Sequence, residues 1–248
     1  MAGAAQSTTV KSAMRTLDII EYVVAHGQGV VAQDIAGALA IPVSSLSYLL
    51  ATLVERDYLR REGRRYFAGP GLDRLGAPRA DLSIEERAAP LVRSIRAELN
   101  ETCSFMILNG WQIEARVTEA SAQALRYAIE VGQRKPLHSL AAGKAILAAL
   151  PDSDLARYFA ETDRHRFTAT TLTGEDELRA EIMRIRDRGF AQARDEDLPG
   201  TSGLACAIVR DGHVEGAIAV AVPSVRFDDQ LRERARSRLM NAARLLAE

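Results

Sequence analysis

Residues 32–67 read AQDIAGALAIPVSSLSYLLATLVERDYLRREGRRYF, and the apolar spacing in this stretch decides the fold of the N-terminal part of the chain. Ile35, Ala36 and Leu39 recur at helical spacing, predicting a short helix over about 32–39. Ala40-Ile41-Pro42-Val43 is too short for anything but a tight turn. Ser44 is then placed to cap a third helix by accepting a bond from a first-turn amide. Leu46, Leu49, Leu50, Leu53 and Val54 form one stripe along that helix. Two short runs follow, 58–61 and 64–67, separated by Glu62-Gly63 as a two-residue hairpin loop. Upstream, Met14, Leu17, Ile20 and Val24 mark a helix over 10–25, which His26-Gly27-Gln28-Gly29 ends. Helix, helix, tight turn, helix, hairpin is the order of a winged helix-turn-helix, here spanning 9–69.

In that arrangement the third helix buries its leucines and offers Ser44, Ser45, Ser47, Tyr48 and Thr52 on the opposite face. Small hydroxyl side chains at a helix start can approach base edges and phosphates closely. The chain as a whole carries a net charge of -1, so no global basic field points to nucleic acid. The local distribution says more. Of the eight basic residues in 1–76, four (Arg60, Arg61, Arg64 and Arg65) crowd around the expected hairpin tip, where they can grip a phosphate backbone or enter a minor groove. The competing reading is a small helical bundle that uses the same elements for protein contacts.

Pro70, Gly71, Gly76 and Pro78 break the chain, and 70–82 reads as a linker. The remainder, 83–248, alternates strand-like runs (103–108, 113–118, 125–131, 204–209, 215–222) with helical ones (83–99, 139–150, 152–160, 175–188, 228–246). Pro90 suggests a kink in the first of these helices. Asp211-Gly212 is a strong hairpin signal. This is an α+β pattern: an antiparallel sheet with flanking helices. In the last helix Leu231, Ala235, Leu239, Ala242 and Leu246 form a stripe suited to covering that sheet.

Composition narrows the function. The 248 residues are 47% hydrophobic and 26% charged, ordinary for globular domains. No apolar run reaches the length of a membrane span and no secretion signal opens the chain, so a cytoplasmic location is expected. Cys103 and Cys206 are too few for a disulfide framework and read as packing residues. An enzyme is the main rival class. His26, His138, His165 and His213 are scattered without partners at metal spacing. There is no nucleophile elbow, phosphate loop or dinucleotide fingerprint. No cofactor, metal or catalytic residue is therefore expected. His138 reads as a structural hydrogen-bonder, and Asp195-Glu196-Asp197 as a solvated loop.

The chain resembles the IclR family of bacterial regulators over nearly its full length. The resemblance is carried by Val10-Lys11-Ser12-Ala13-Met14-Arg15-Thr16-Leu17-Asp18-Ile19-Ile20-Glu21, by Ile41-Pro42-Val43-Ser44-Ser45, and by Leu49-Leu50-Ala51-Thr52-Leu53. In the second half it is carried by Pro136-Leu137-His138-Ser139-Leu140-Ala141-Ala142-Gly143-Lys144-Ala145, followed in order by Gly189-Phe190-Ala191, Asp195-Glu196, Gly200 and the segment 204–227. It implies a GAF-like effector domain, dimers or tetramers, and no catalysis. Because the two-fold symmetry of a dimer is mirrored in its operator, the expected partner is double-stranded DNA with an inverted-repeat site. The resemblance also makes the amides of Ala141 and Ala142 the site for an effector carboxylate, since a helix start favours an anion. Phe105, Tyr127, Gly203, Ala219 and Ala221 are the expected walls, with Arg194 or Arg126 as a candidate cation. Val43 and Tyr48 stand where the family often has basic residues. Ala193, Gly203, Ala219 and Ala221 stand where members that bind very small acids have polar ones. The expected signal is thus an aromatic or medium-sized carboxylate.

Overall fold

The structure, a computed structural model, describes residues 10–76, 82–127 and 129–248. The chain divides into two compact units at Leu82–Ser83. Each is described by itself.

The first unit runs α1 (Lys11–Ala25), β1 (Val30–Val31), α2 (Ala32–Ala38), α3 (Val43–Glu55), β2 (Leu59–Glu62) and β3 (Arg65–Ala68). The strands form a three-stranded antiparallel sheet in the order β1-β3-β2. Ile19, Val23, Ile35, Leu46, Leu50, Leu53 and Leu59 make its core. Three expectations change in detail. Met14, Leu17 and Val24, which set the period of α1, lie on its exposed face, and Ile19 and Val23 are the buried pair. Helix α3 starts one residue early, at Val43; Pro42 occupies the cap position, and no side chain caps the helix. Ser44 therefore sits inside the first turn. The hairpin loop is Gly63-Arg64, because Glu62 pairs with Arg65 in register. The glycine takes the positive φ of +60° that the turn requires. Of the expected linker, Pro70–Leu72 is a 3-10 turn and Asp73–Gly76 a single helical turn, α4; residues 77–81 lie outside the described residues, as do 1–9.

The second unit holds α5 (Ile84–Leu99), β4 (Thr102–Asn109), β5 (Gln112–Glu119), β6 (Arg134–Pro136), α6 (Ala141–Ala149), α7 (Asp152–Glu161), α8 (Glu175–Arg188), β7 (Ala191–Arg194), β8 (Thr201–Arg210), β9 (His213–Pro223) and α9 (Asp229–Ala247). All strands join one antiparallel sheet, in the order β6-β5-β4-β9-β8-β7. Its two faces follow from strand alternation. In β8, Leu204, Cys206 and Ile208 face α5 and α9, while Ala205 and Ala207 face α6–α8. The α9 stripe buries Ala235, Leu239, Ala242 and Leu246 against the sheet and α5. Both thiols lie in that core, and burial pushes Cys206 up to about 12. Helix α5 is a single element despite Pro90; a reciprocal capping box of Ser83 and Glu86 satisfies its first turn. Among the described residues of 125–131 there is no strand. Asp211 and Gly212 both take positive φ, 52° and 78°, as the predicted tight hairpin demands.

Helix α6 is apolar apart from Lys144, and all but its last residue are buried. It packs so tightly on the preceding segment that a Cβ on Gly143 would lie 2.2 Å from the Leu137 carbonyl oxygen. A backbone contact of that kind cannot be relieved by a rotamer change. Gly143→Ala is therefore expected to lose about 1–3 kcal/mol. That corresponds to a fall of roughly 3–10 °C in the melting temperature, readable by calorimetry. An unchanged melting temperature would contradict this packing.

Candidate functional site

On the first unit, the outer face of α3 presents Ser44, Ser47, Tyr48 and Thr52 exposed, with Ser45 half-buried. Tyr48 is 79% exposed, which is unusual for an aromatic with no structural duty. Ser47 and Thr52 donate their hydroxyl protons back to the carbonyls of Val43 and Tyr48, leaving their lone pairs outward. With no cap, the first amides of α3 have no intrahelical acceptor. The four arginines are not equivalent. Arg60 pairs with Glu62 and lies over Phe67. Arg61 donates to the Gly63 carbonyl and lies over Tyr66. Arg65 donates to the Gly29 carbonyl at 2.7 Å, tying the wing to the loop after α1. Arg64 occupies the hairpin turn itself and is exposed.

On the second unit, a cavity of about 40 Å³ lies where α6 begins. Its walls include Ser104, Tyr127, Ala141, Ala142, Gly203, Ala219 and Ala221. A second pocket of about 30 Å³ adjoins it through Tyr127, Ala141, Gly203 and Ala221, and adds Ser139, Ala193, Glu196 and Asp197. Most of the residues expected from sequence thus come together here. Gly203 keeps β8 close to α6, with the Ala141 Cβ only 3.5 Å from where its own would be. Helix α6 has Leu140 at its cap position and no side-chain cap. The amides of Ala141, Ala142 and Gly143 therefore lack intrahelical acceptors in a buried setting. Helices α7 and α8 likewise have no side-chain cap, whereas Ser83 and Asp228 cap α5 and α9.

Three expected residues do not line the site. Phe105 is fully buried on the opposite face of the sheet, in the α5–α9 core; alternation along β4 gives the cavity its neighbours Ser104 and Met106 instead. Arg194 ends β7 pointing away, its side chain 62% exposed near Asp195, because Ala193 takes the inward position. Arg126 is exposed and donates to the Gln123 carbonyl.

The acidic groups at the site come from a loop that reads as solvated. Glu196 is buried and accepts from the Lys144 ammonium at 2.7 Å. Burial raises its pKa, against the lowering pull of Lys144. Asp197 accepts from Lys135 at 3.0 Å and from the Ser139 hydroxyl. Two cations thus balance two carboxylates. Burial, and then Asp197, push the Tyr127 phenol up to about 12, so it remains neutral. His138 is buried, bonds the His165 carbonyl through Nε2 and stacks on Phe167. The sequence held one signal for the acidic pair: Lys144 lies mid-helix among apolar residues, and a buried ammonium requires a counter-charge. Among the described residues no group of His, Cys, Asp and Glu is arranged to hold a metal ion, and no single helix is long and apolar enough to cross a membrane.

Comparison with known proteins agrees with both halves. Residues 12–63 match the model of the IclR helix-turn-helix domain, and residues 79–248 match that of the bacterial transcriptional regulator IclR C-terminal domain. The regulator BhcR of Paracoccus denitrificans is 30% identical over 99% of this chain and 89% of its own length. The solved transcriptional regulator RHA06195 of Rhodococcus sp. RHA1 superposes with a TM-score of 0.66 at 27% identity, covering 96% of this chain and 97% of that one. The inducer-binding domain of Acinetobacter PobR, solved with 3-hydroxybenzoic acid, shares the fold of the second unit; its TM-score is 0.62 at 18% identity, covering 67% of this chain and 99% of that one. The chain belongs to the IclR family: it is a transcriptional regulator with a DNA-binding winged helix-turn-helix and an effector-binding domain.

Proposed function

We propose that this regulator binds an inverted-repeat operator as a homodimer and releases or rearranges on it when a medium-sized carboxylate, of benzoate type, enters the cavity at the start of α6. The observation that carries the reading is the uncapped, buried N-terminus of α6 opening onto that cavity. Buried amides need acceptors, a helix start favours negative charge, and a carboxylate supplies both. The bound aromatic acid in the PobR inducer-binding domain supports the ligand class. The alanine and glycine walls favour an apolar body, because a buried polar ligand needs paired hydrogen bonds that they cannot give.

The cavity as it stands holds only a few water-sized volumes. A benzoate-sized acid must therefore part α6 from the sheet, and its binding favours an opened arrangement over the closed one. That difference in affinity is what an effector needs to move an equilibrium that also governs DNA binding. On the first unit, Ser44, Ser45, Ser47, Tyr48 and Thr52 read the major groove, while Arg60, Arg61, Arg64 and Arg65 hold the backbone. The exposed stripe of Met14, Leu17 and Val24 on α1, with Val10 just before it, fits contact with a second copy, whose two-fold symmetry an inverted repeat mirrors.

Three outcomes are expected. In binding isotherms across salt concentrations, Arg64→Ala weakens binding to operator and random DNA alike and flattens the salt slope by about 1. Tyr48→Ala changes which sequences are preferred; equal loss on specific and random DNA would remove Tyr48 from base reading. In calorimetry, benzoate binds the wild-type protein and fails to bind Ala142→Glu, which fills the anion site with a fixed carboxylate. Undiminished binding by a folded Ala142→Glu variant would place the ligand elsewhere.

A further inference from the structure

The exposed face of α3 is made of Val43, Ser44, Ser47, Tyr48, Ala51 and Thr52. Across its 13 residues the helix carries one ionised side chain, Glu55 in the last position, and no arginine, lysine, asparagine or glutamine. Guanine is read in the major groove by a forked or cationic donor on O6 and N7, and adenine by a side-chain amide on N6 and N7. Neither contact can be made from α3. Its hydroxyls do not replace them. Ser47 and Thr52 spend their protons on the carbonyls of Val43 and Tyr48, at 2.9 and 3.0 Å, so they meet a base only as acceptors. Ser44 and Tyr48 bring one hydroxyl each, and a single hydroxyl serves donors and acceptors alike. The rest of the face is hydrocarbon. Val43 is 65% exposed and Tyr48 79%; Ala51 adds a methyl, and Thr52, its hydroxyl turned back onto the helix, adds another. Such groups gain only when they leave water, and the apolar group that the major groove offers them is the 5-methyl of thymine.

We infer that α3 recognises thymine methyl groups, and that the base pairs it covers in the operator are A·T pairs. This rests on the reading of α3 as the helix that enters the major groove and names what it reads there. Two further features agree. As acceptors, Ser47 and Thr52 suit the N6 amine of adenine, which lies in the groove beside the methyl of the paired thymine. Cytosine offers an amine to the same acceptors, and the methyl is what separates the two pairs. Glu55 is repelled by phosphates, so its end of α3 stands out of the groove while the first turns, with Val43 and Tyr48, enter it. The wing arginines lie outside α3; they hold the backbone and leave the selection of bases to the methyl contacts.

The test begins with selection of sites from random duplex DNA by the full chain. Binding isotherms at one salt concentration then follow on the selected site, with uracil in place of each thymine in turn. Uracil pairs as thymine does and lacks only the methyl. At two or more thymines of each half-site, uracil is expected to weaken binding about fourfold, the equivalent of one buried methyl; at the other thymines, and on random DNA, it changes nothing. Thr52→Ser keeps the hydroxyl and removes the methyl, and Val43→Ala shortens an exposed side chain. Each is expected to weaken binding to the selected site and, at one position, to remove the uracil effect while leaving it at the others. If a sequence is selected but uracil costs nothing at any position, the methyl reading is overturned while α3 stands as a reader of the groove. If the uracil effects persist unchanged in both variants, another element reads the methyls and the assignment to α3 is overturned. If no sequence is preferred over random DNA, α3 is not a reader, and this inference fails together with the reading beneath it.

Discussion

Lys144 brings a full charge into the interior of the effector-binding domain, and the structure around the cavity is arranged to make that tolerable. An unpaired ammonium in such a place would cost several kcal/mol. Glu196 meets it at 2.7 Å. To do so, the loop after β7 must fold down onto α6. The Thr171 hydroxyl holds the Glu196 carbonyl there, and those of Thr168 and Thr170 hold the Asp195 carbonyl. Asp197 is then within reach of Lys135 on β6 and Ser139 before α6. One buried pair thus fixes the loop, an edge strand and the start of a helix in a common register. Replacing such a pair with apolar residues is often neutral for stability. What it supplies here is position.

The second determinant is the absence of side-chain bulk. Alanine or glycine stands at 141, 142, 143, 203, 219 and 221, so helix and sheet approach closely without filling the space at the helix start. The Gly143 contact with Leu137 anchors one side of that arrangement, and Gly203 in β8 permits the other. The outcome is a small cavity with largely apolar walls, placed beside the start of α6 and the Lys144–Glu196 pair. Its polar atoms are few and directional, the pattern by which a small-molecule site discriminates. In the proposed function, the expansion that a medium-sized acid demands would make a switch of what is otherwise a packing contact.

Much of the fold was legible in local pattern. The helices of both units follow apolar periodicity, and Asp211-Gly212 announced its hairpin because few residue pairs accept two positive φ values in succession. What escaped has physical reasons. Strands β6 and β7 are edge strands of three and four residues, too short to show alternation. The run 125–131 has strand-forming residues, yet the Tyr127 carbonyl accepts from the side-chain hydroxyl of Thr102 rather than from the backbone amide of a paired strand. In α1 the exposed stripe is as apolar as the buried one, so periodicity alone could not tell them apart. The cavity was half legible. Its small residues were visible, but a shift of one place along β4 exchanges Phe105 for Ser104 and Met106, and the same alternation turns Arg194 outward. Glu196 was hidden because three consecutive acids normally mark solvent, and its partner Lys144 lies 52 residues away in sequence.

The proposed function requires the effector to bind at the start of α6. The most direct measurement is a crystal structure of the full chain grown with benzoate. The acid is expected in the cavity, with its carboxylate oxygens about 3 Å from the amide nitrogens of Ala141 and Ala142 and its ring between Tyr127 and Ala221. An acid bound elsewhere, with those amides left to water, would contradict the proposed function.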